Sequence, residues 1–125
     1  MDDLQKFTDS IANLKLNAGY TYTGDFPMTE EKYATVKWET GVEADGETAI
    51  TTTVNPHPEL TWSAGDAEMA RLQTEYDAQD YARKRKVEYP DIYDYIDGIV
   101  KSDQAQIDKY IADCQAVKDK YSKGA

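Results

Sequence analysis

The period of the apolar positions changes along the chain. Leu4, Phe7, Ile11 and Leu14 are spaced three, four and three residues apart, which gathers them on one side of a helix, and Asp2 and Asp3 stand where the helix dipole favours negative charge. This predicts a short amphipathic helix over residues 2 to 14. After Asn17 and Gly19 the period falls to two. Tyr20-Thr21-Tyr22-Thr23 alternates aromatic and β-branched side chains, as a half-buried strand requires, and the strand must end by Pro27. Thr29 followed by Glu30 and Glu31 reads as one helical turn feeding a strand over residues 34 to 39, where Val36 and Trp38 alternate with charged neighbours. Asp45-Gly46, between residues 42 to 44 and 49 to 54, is a type I′ hairpin signal. Pro56-His57-Pro58 then forms a corner.

Beyond that corner the helical period returns. Ser63 stands three residues before Asp66 in capping-box spacing, and no Gly or Pro follows Gly65 until Pro90, so residues 65 to 88 read as one long helix. Its apolar positions, Met69, Leu72, Tyr76 and Val87, are sparse; Gln79, Asp80 and Arg83 fall where a seam would continue, so the helix is poorly supported by itself. Pro90 enforces a break and suits the first turn of a short helix whose face is Ile92, Tyr95, Ile96 and Ile99, closed by Gly98 and Ser102. Ser102 caps a third helix over residues 103 to 122. Ile107, Tyr110, Ile111, Cys114, Val117 and Tyr121 give it the clearest three-four pattern in the chain, and Lys118, Lys120 and Lys123 load its end before Gly124. The expected fold is α+β: an N-terminal helix and small antiparallel β region over residues 1 to 62, then a helical half over 63 to 125 made of a long, a short and a terminal helix.

Composition adds a need for partners. With 125 residues, 40% hydrophobic and 30% charged, the chain has little apolar surface for a core of its own, which argues for subunits that share one. The expectation is a homo-oligomer joined through the helices at 65 to 88 and 103 to 122, with Leu72, Tyr76, Tyr89, Ile92, Ile107, Ile111 and Val117 as interface residues. A formal charge of −10 repels nucleic-acid phosphate and anionic lipid. The basic run Arg83-Lys84-Arg85-Lys86 does not reverse this, because successive residues on a helix point about 100° apart and Asp77, Asp80 and Glu88 supply counter-charge. No stretch approaches the ~18 apolar residues of a membrane span, and Met1-Asp2-Asp3-Leu4 lacks the pattern of a secretory signal. A soluble protein without nucleic-acid or membrane partners is expected.

Candidate chemistry is thin. Cys114 is the one cysteine, placed on an apolar seam, and His57, the one histidine, lies between two prolines. Asp91, Asp94 and Asp97 precede Gly98, but their interval of three is helical and lacks the alternate spacing of a calcium loop, so they read as one exposed face. No Gly-rich phosphate loop, paired metal-binding histidines or nucleophile elbow is present. The reading is a protein that is not an enzyme and takes no cofactor or metal. Ten tyrosines, with Tyr89, Tyr93, Tyr95 and Tyr110 around Pro90, read as packing at that corner with hydroxyls at its rim, and such a surface favours interfaces.

The run from Tyr81 to Ile99, centred on the basic residues 83 to 86 and Tyr89-Pro90-Asp91-Ile92-Tyr93-Asp94, resembles a segment recurrent in virion proteins of tailed bacteriophages, especially marine and cyanobacterial ones. Val36-Lys37-Trp38 and Pro58-Glu59-Leu60-Thr61-Trp62 are similar to the short strand and Pro-x-x-Trp corner that precede it, so the resemblance spans residues 18 to 101. It implies a small virion structural protein, a tail-fibre or neck/tail connector component. Such a protein forms a homo-oligomer, commonly a trimer about a fibre axis, and attaches to other phage tail or neck proteins. It is made in the host cytoplasm and then located in the virion, without catalysis. Two other roles suit the same features: a tail-fibre assembly chaperone, and a sugar-binding fibre tip using Trp38, Trp62 and the tyrosines.

Overall fold

A computed structural model describes residues 1 to 123; Gly124, the expected stop of the last helix, lies outside the described residues. The chain divides into two compact units, Met1–Glu75 and Tyr76–Ala125. This division falls further along than the expected one after residue 62. The reason is packing: Trp62 and Met69, on the first turns of the long helix, lie against the core of the N-terminal unit.

The first unit holds α1 (Asp3–Leu14), β1 (Tyr20–Thr21), α2 (Glu30–Tyr33), β2 (Lys37–Val42), β3 (Ala49–Thr52) and most of α3 (Trp62–Ala78). Asp2 caps α1 by accepting the Gln5 N–H at 2.7 Å, and Thr29 caps α2 by accepting that of Lys32 at 3.2 Å. The strands form an antiparallel sheet in the order β1-β2-β3, with Tyr20 opposite Trp38 and Trp38 opposite Thr52. The α+β class is therefore as the periodicities predict.

Several boundaries differ for local reasons. β1 stops at Thr21 rather than Thr23 because the Tyr22 hydroxyl turns to the Asp25 carbonyl at 2.6 Å. β2 starts at Lys37 because Thr35 and Val36 still bond back to Lys32 and Tyr33. The β2–β3 turn is not type I′. Gly46 has φ +74° but Asp45 does not have positive φ, and the Asp45 carboxylate instead organises a longer loop. It accepts the backbone N–H groups of Glu47 and Thr48 at 2.8 and 2.9 Å and the Thr48 hydroxyl at 2.6 Å. α3 is capped by Thr61 rather than Ser63, through the Ala64 N–H at 3.2 Å.

Phe7 and Ile11 of α1 meet Met28, Tyr33, Val36, Trp38 and Leu60 in one buried cluster. Its rings pack edge to face: Phe7 and Tyr20 centroids are 5.5 Å apart, and Tyr33 and Trp38 are 5.8 Å apart. Each fully buried side chain contributes roughly 1.5–3 kcal/mol over leaving it in water. Ser10 is buried among them with its hydroxyl donating to the Phe7 carbonyl at 2.7 Å. Leu60 is held from two sides, because the Tyr33 hydroxyl and the Asn55 amide both donate to its carbonyl.

The second unit consists of α4 (Asp80–Glu88), α5 (Ile92–Lys101) and α6 (Gln104–Lys120). The single helix expected over residues 65 to 88 is broken at Gln79. There the Tyr76 carbonyl accepts the Gln79 N–H at 3.2 Å and the Arg83 guanidinium at 2.8 Å. Polar residues at this point of the seam leave no apolar contact to hold the α-helical bond pattern. Ser102 does not cap α6; it closes α5 in the left-handed region at φ 55°, and Asp103 caps α6 by accepting the Gln106 N–H at 3.1 Å.

Candidate functional site

The most distinctive surface lies on α5. Asp91 starts the helix by accepting the Tyr93 N–H at 2.9 Å, and α6 returns antiparallel beside it after the Ser102–Asp103 turn. Gly98 is the buried contact between the two: a Cβ there would lie 3.0 Å from Ile107 Cγ1. The Gln106 amide donates to the Asp94 carbonyl at 2.6 Å and the Asp97 carboxylate at 3.1 Å, while Tyr95 and Tyr110 pack with centroids 5.4 Å apart. At 100° per residue, the side facing α6 is therefore that of Gly98 and Tyr95. Tyr93, Ile96 and Val100 fall roughly opposite, and Ile92 and Ile99 lie on the flank between them and Tyr95. They are exposed, from 46% at Ile96 to 78% at Val100.

This arrangement redistributes the seven residues expected at an interface. Val117 is buried within its own chain, and Ile107 is half-buried against Gly98. Leu72 and Tyr89 are half-buried, and Tyr76 lies under the Arg83 guanidinium, 3.6 Å from its ring centroid. Ile92 and Ile111 are the two aliphatic members left exposed. The structure thus does not gather the seven on one surface. Tyr93, Ile96, Ile99 and Val100, which join Ile92 on the open stripe, were not among the expected interface residues. The spacing of Ile92, Ile96 and Ile99 carried that signal, but periodicity does not say which side of the helix a neighbour covers.

The charged groups around this unit are engaged in holding it. The basic run disperses: Lys84 reaches Asp80 at 2.7 Å, while Arg85 donates to the Tyr121 and Lys118 carbonyls at 2.7 and 3.3 Å. Glu88 pairs with Lys120 at 3.0 Å and accepts the Tyr121 hydroxyl, both of which hold its carboxyl below the usual range, the tyrosine bond most. Asp91, Asp94 and Asp97 do not converge. The first is a cap, the second contributes its carbonyl, and the third pairs with Lys101 at 2.8 Å. Among the described residues no group of three His, Cys, Asp or Glu side chains could hold a metal ion.

Other candidates are absorbed into packing. Trp38 is buried, and Trp62 packs on Tyr33 with centroids 5.7 Å apart, so the two tryptophans do not form an open aromatic platform. His57 lies edge-on against Trp38 at 5.5 Å. Cys114 is half-buried, and its hydrogen bond with Tyr110 is the first cause pushing that phenol's pKa up. Among the described residues no helix is long and apolar enough to cross a membrane. No protein-family model, curated protein or solved structure matches this chain.

Proposed function

We propose that the chain is a structural subunit that acts by binding further copies of itself through the apolar stripe of α5, as a component of a tailed-phage particle. The observation carrying the self-association is the exposure of Ile92, Tyr93, Ile96, Ile99 and Val100 along the flank and outer side of α5. Together they form a contiguous exposed apolar patch of the kind that marks an interaction surface. Charge favours a second copy as the occupant. The stripe itself carries no charge in a chain of net −10, so like faces meet without opposing carboxylates, and the neighbouring Asp97 is matched by Lys101. The phage setting, the attachment to tail or neck proteins and the threefold symmetry rest on the resemblance of residues 81 to 99.

Light scattering on the purified chain tests the first part. The expected result is an oligomer that Ile96→Asp reduces to a smaller species without lowering the helical melt, since Ile96 lies outside the α5–α6 contact. A wild-type monomer at micromolar concentration would overturn it. Mass spectrometry of purified particles tests the second part: a structural component remains in them in stoichiometric amount, and an assembly chaperone does not.

A further inference from the structure

The outer edge of the sheet is built differently from the rest of the surface. β3 is last in the order β1-β2-β3, so β2 uses both of its edges for hydrogen bonds and β3 uses one. Exposed edges in soluble proteins are ordinarily blunted by a lysine, a proline or a bulge. β3 is short, at four residues, but carries no lysine or proline: the bulge lies on β2 between Glu39 and Gly41, and Pro56 and Pro58 come after the strand. No charged residue occurs between Glu47 and Glu59, although 30% of the chain is charged, and residues 50 to 54, Ile-Thr-Thr-Thr-Val, are all β-branched. Ala49, Ile50 and Thr51 are exposed.

We propose that β3 pairs antiparallel with β3 of a second copy, joining two sheets into one across a two-fold axis. An antiparallel strand edge is complementary to itself in its backbone donors and acceptors, so a two-fold contact needs no other surface. Charge again selects the partner. In a chain of net −10, a strand free of carboxylates can face its own copy without opposing like charges along its length; Glu39 and Glu43 sit on or just beyond β2, one strand further in, and Glu47 lies in the loop two residues before the strand. This inference extends the reading of the chain as self-assembling to a second surface, independent of α5.

The test uses the full chain carrying Ile96→Asp, which removes the α5 contact, followed by Thr51→Lys. Thr51 lies opposite Glu39, so the lysine gains a cross-strand partner and leaves the hairpin intact, whereas two copies bring lysines together at the edge. The expected result is a dimer of the Ile96→Asp chain at high micromolar concentration, with β3 amides exchanging more slowly than in dilute solution. Adding Thr51→Lys then halves the sedimenting mass and abolishes that protection at an unchanged melt. A monomeric Ile96→Asp chain at every concentration, or a dimer indifferent to Thr51→Lys, overturns the pairing. If Ile96→Asp leaves the wild-type mass unaltered, the α5 reading fails instead, and Thr51→Lys in the wild-type chain decides the edge by the same loss of mass and protection.

Discussion

Ile107 lies over Gly98 so closely that a methyl group on that glycine would come within 3.0 Å of Ile107 Cγ1 and 3.4 Å of Gln106 Cγ. The contact sets which side of α5 faces inward, and so which isoleucines face out. Gly98→Ala gains about 1 kcal/mol of helix propensity and loses a comparable amount by pressing on α6, leaving the melt nearly unchanged. Gly98→Val has no such offset and should cost about 2 kcal/mol, read as a lower thermal midpoint of the helical signal.

Tyr33 gives the N-terminal core an alkaline limit. Burial pushes its pKa up to about 12, against about 10 for a free phenol, so folding is favoured fully below pH ~10 and loses that contribution as pH rises through about 12. Ultraviolet titration should show one tyrosine of the ten ionising last, with loss of the folded state. Tyr33→Phe removes this late step and costs about 1 kcal/mol, since Asn55 still donates to the Leu60 carbonyl at 2.7 Å.

Much of the local structure is legible in the sequence because it follows from neighbours along the chain. The three-four spacing of Leu4, Phe7, Ile11 and Leu14, the Thr29 cap and the Pro90 break all reappear in the fold. What the sequence hides depends on distant contacts. Leu60 enters the core through bonds from Tyr33 and Asn55 that no periodicity encodes. On α5 the apolar face is legible, but its exposure follows from Gly98, which offers α6 a closer approach than any isoleucine does. The Gln79 break is partly visible as a polar interruption in the seam, yet the Arg83 bond to the Tyr76 carbonyl that accompanies it is tertiary detail.

Asp45 sets the acid limit of the hairpin loop. The Thr48 hydroxyl, then the Thr48 and Glu47 backbone N–H groups, hold its pKa down at about 2. A depressed carboxyl supports the loop fully above the unfolded value of about 4 and withdraws that support as pH falls through about 2. Exchange of the Thr48 amide should therefore accelerate across that window relative to amides in α1, and Asp45→Ala should produce the fast exchange already at neutral pH.

Arg85 ties α4 to the end of α6 through the Tyr121 and Lys118 carbonyls. These lie at the C-terminus of α6, where carbonyls lack helical partners and the dipole attracts a cation. Arg85→Met keeps most of the stem and removes the donors. It should cost about 1 kcal/mol and speed amide exchange in the last turn of α6, with Glu88 and Lys120 limiting the fraying.

Ile107 and Ile111 stand one turn apart on α6 and look equivalent in sequence, yet they separate folding from association. Ile107 is half-buried against Gly98, so Ile107→Ala should lower the helical melt by about 1–2 kcal/mol at any protein concentration. Ile111 is 48% exposed, and Ile111→Asp should leave the melt of the dilute chain within about 0.5 kcal/mol of wild type. Parallel melts at low and high concentration distinguish the two effects. A loss that appears only at high concentration places Ile111 in an intermolecular contact, and an equal loss at both makes it part of the helical core.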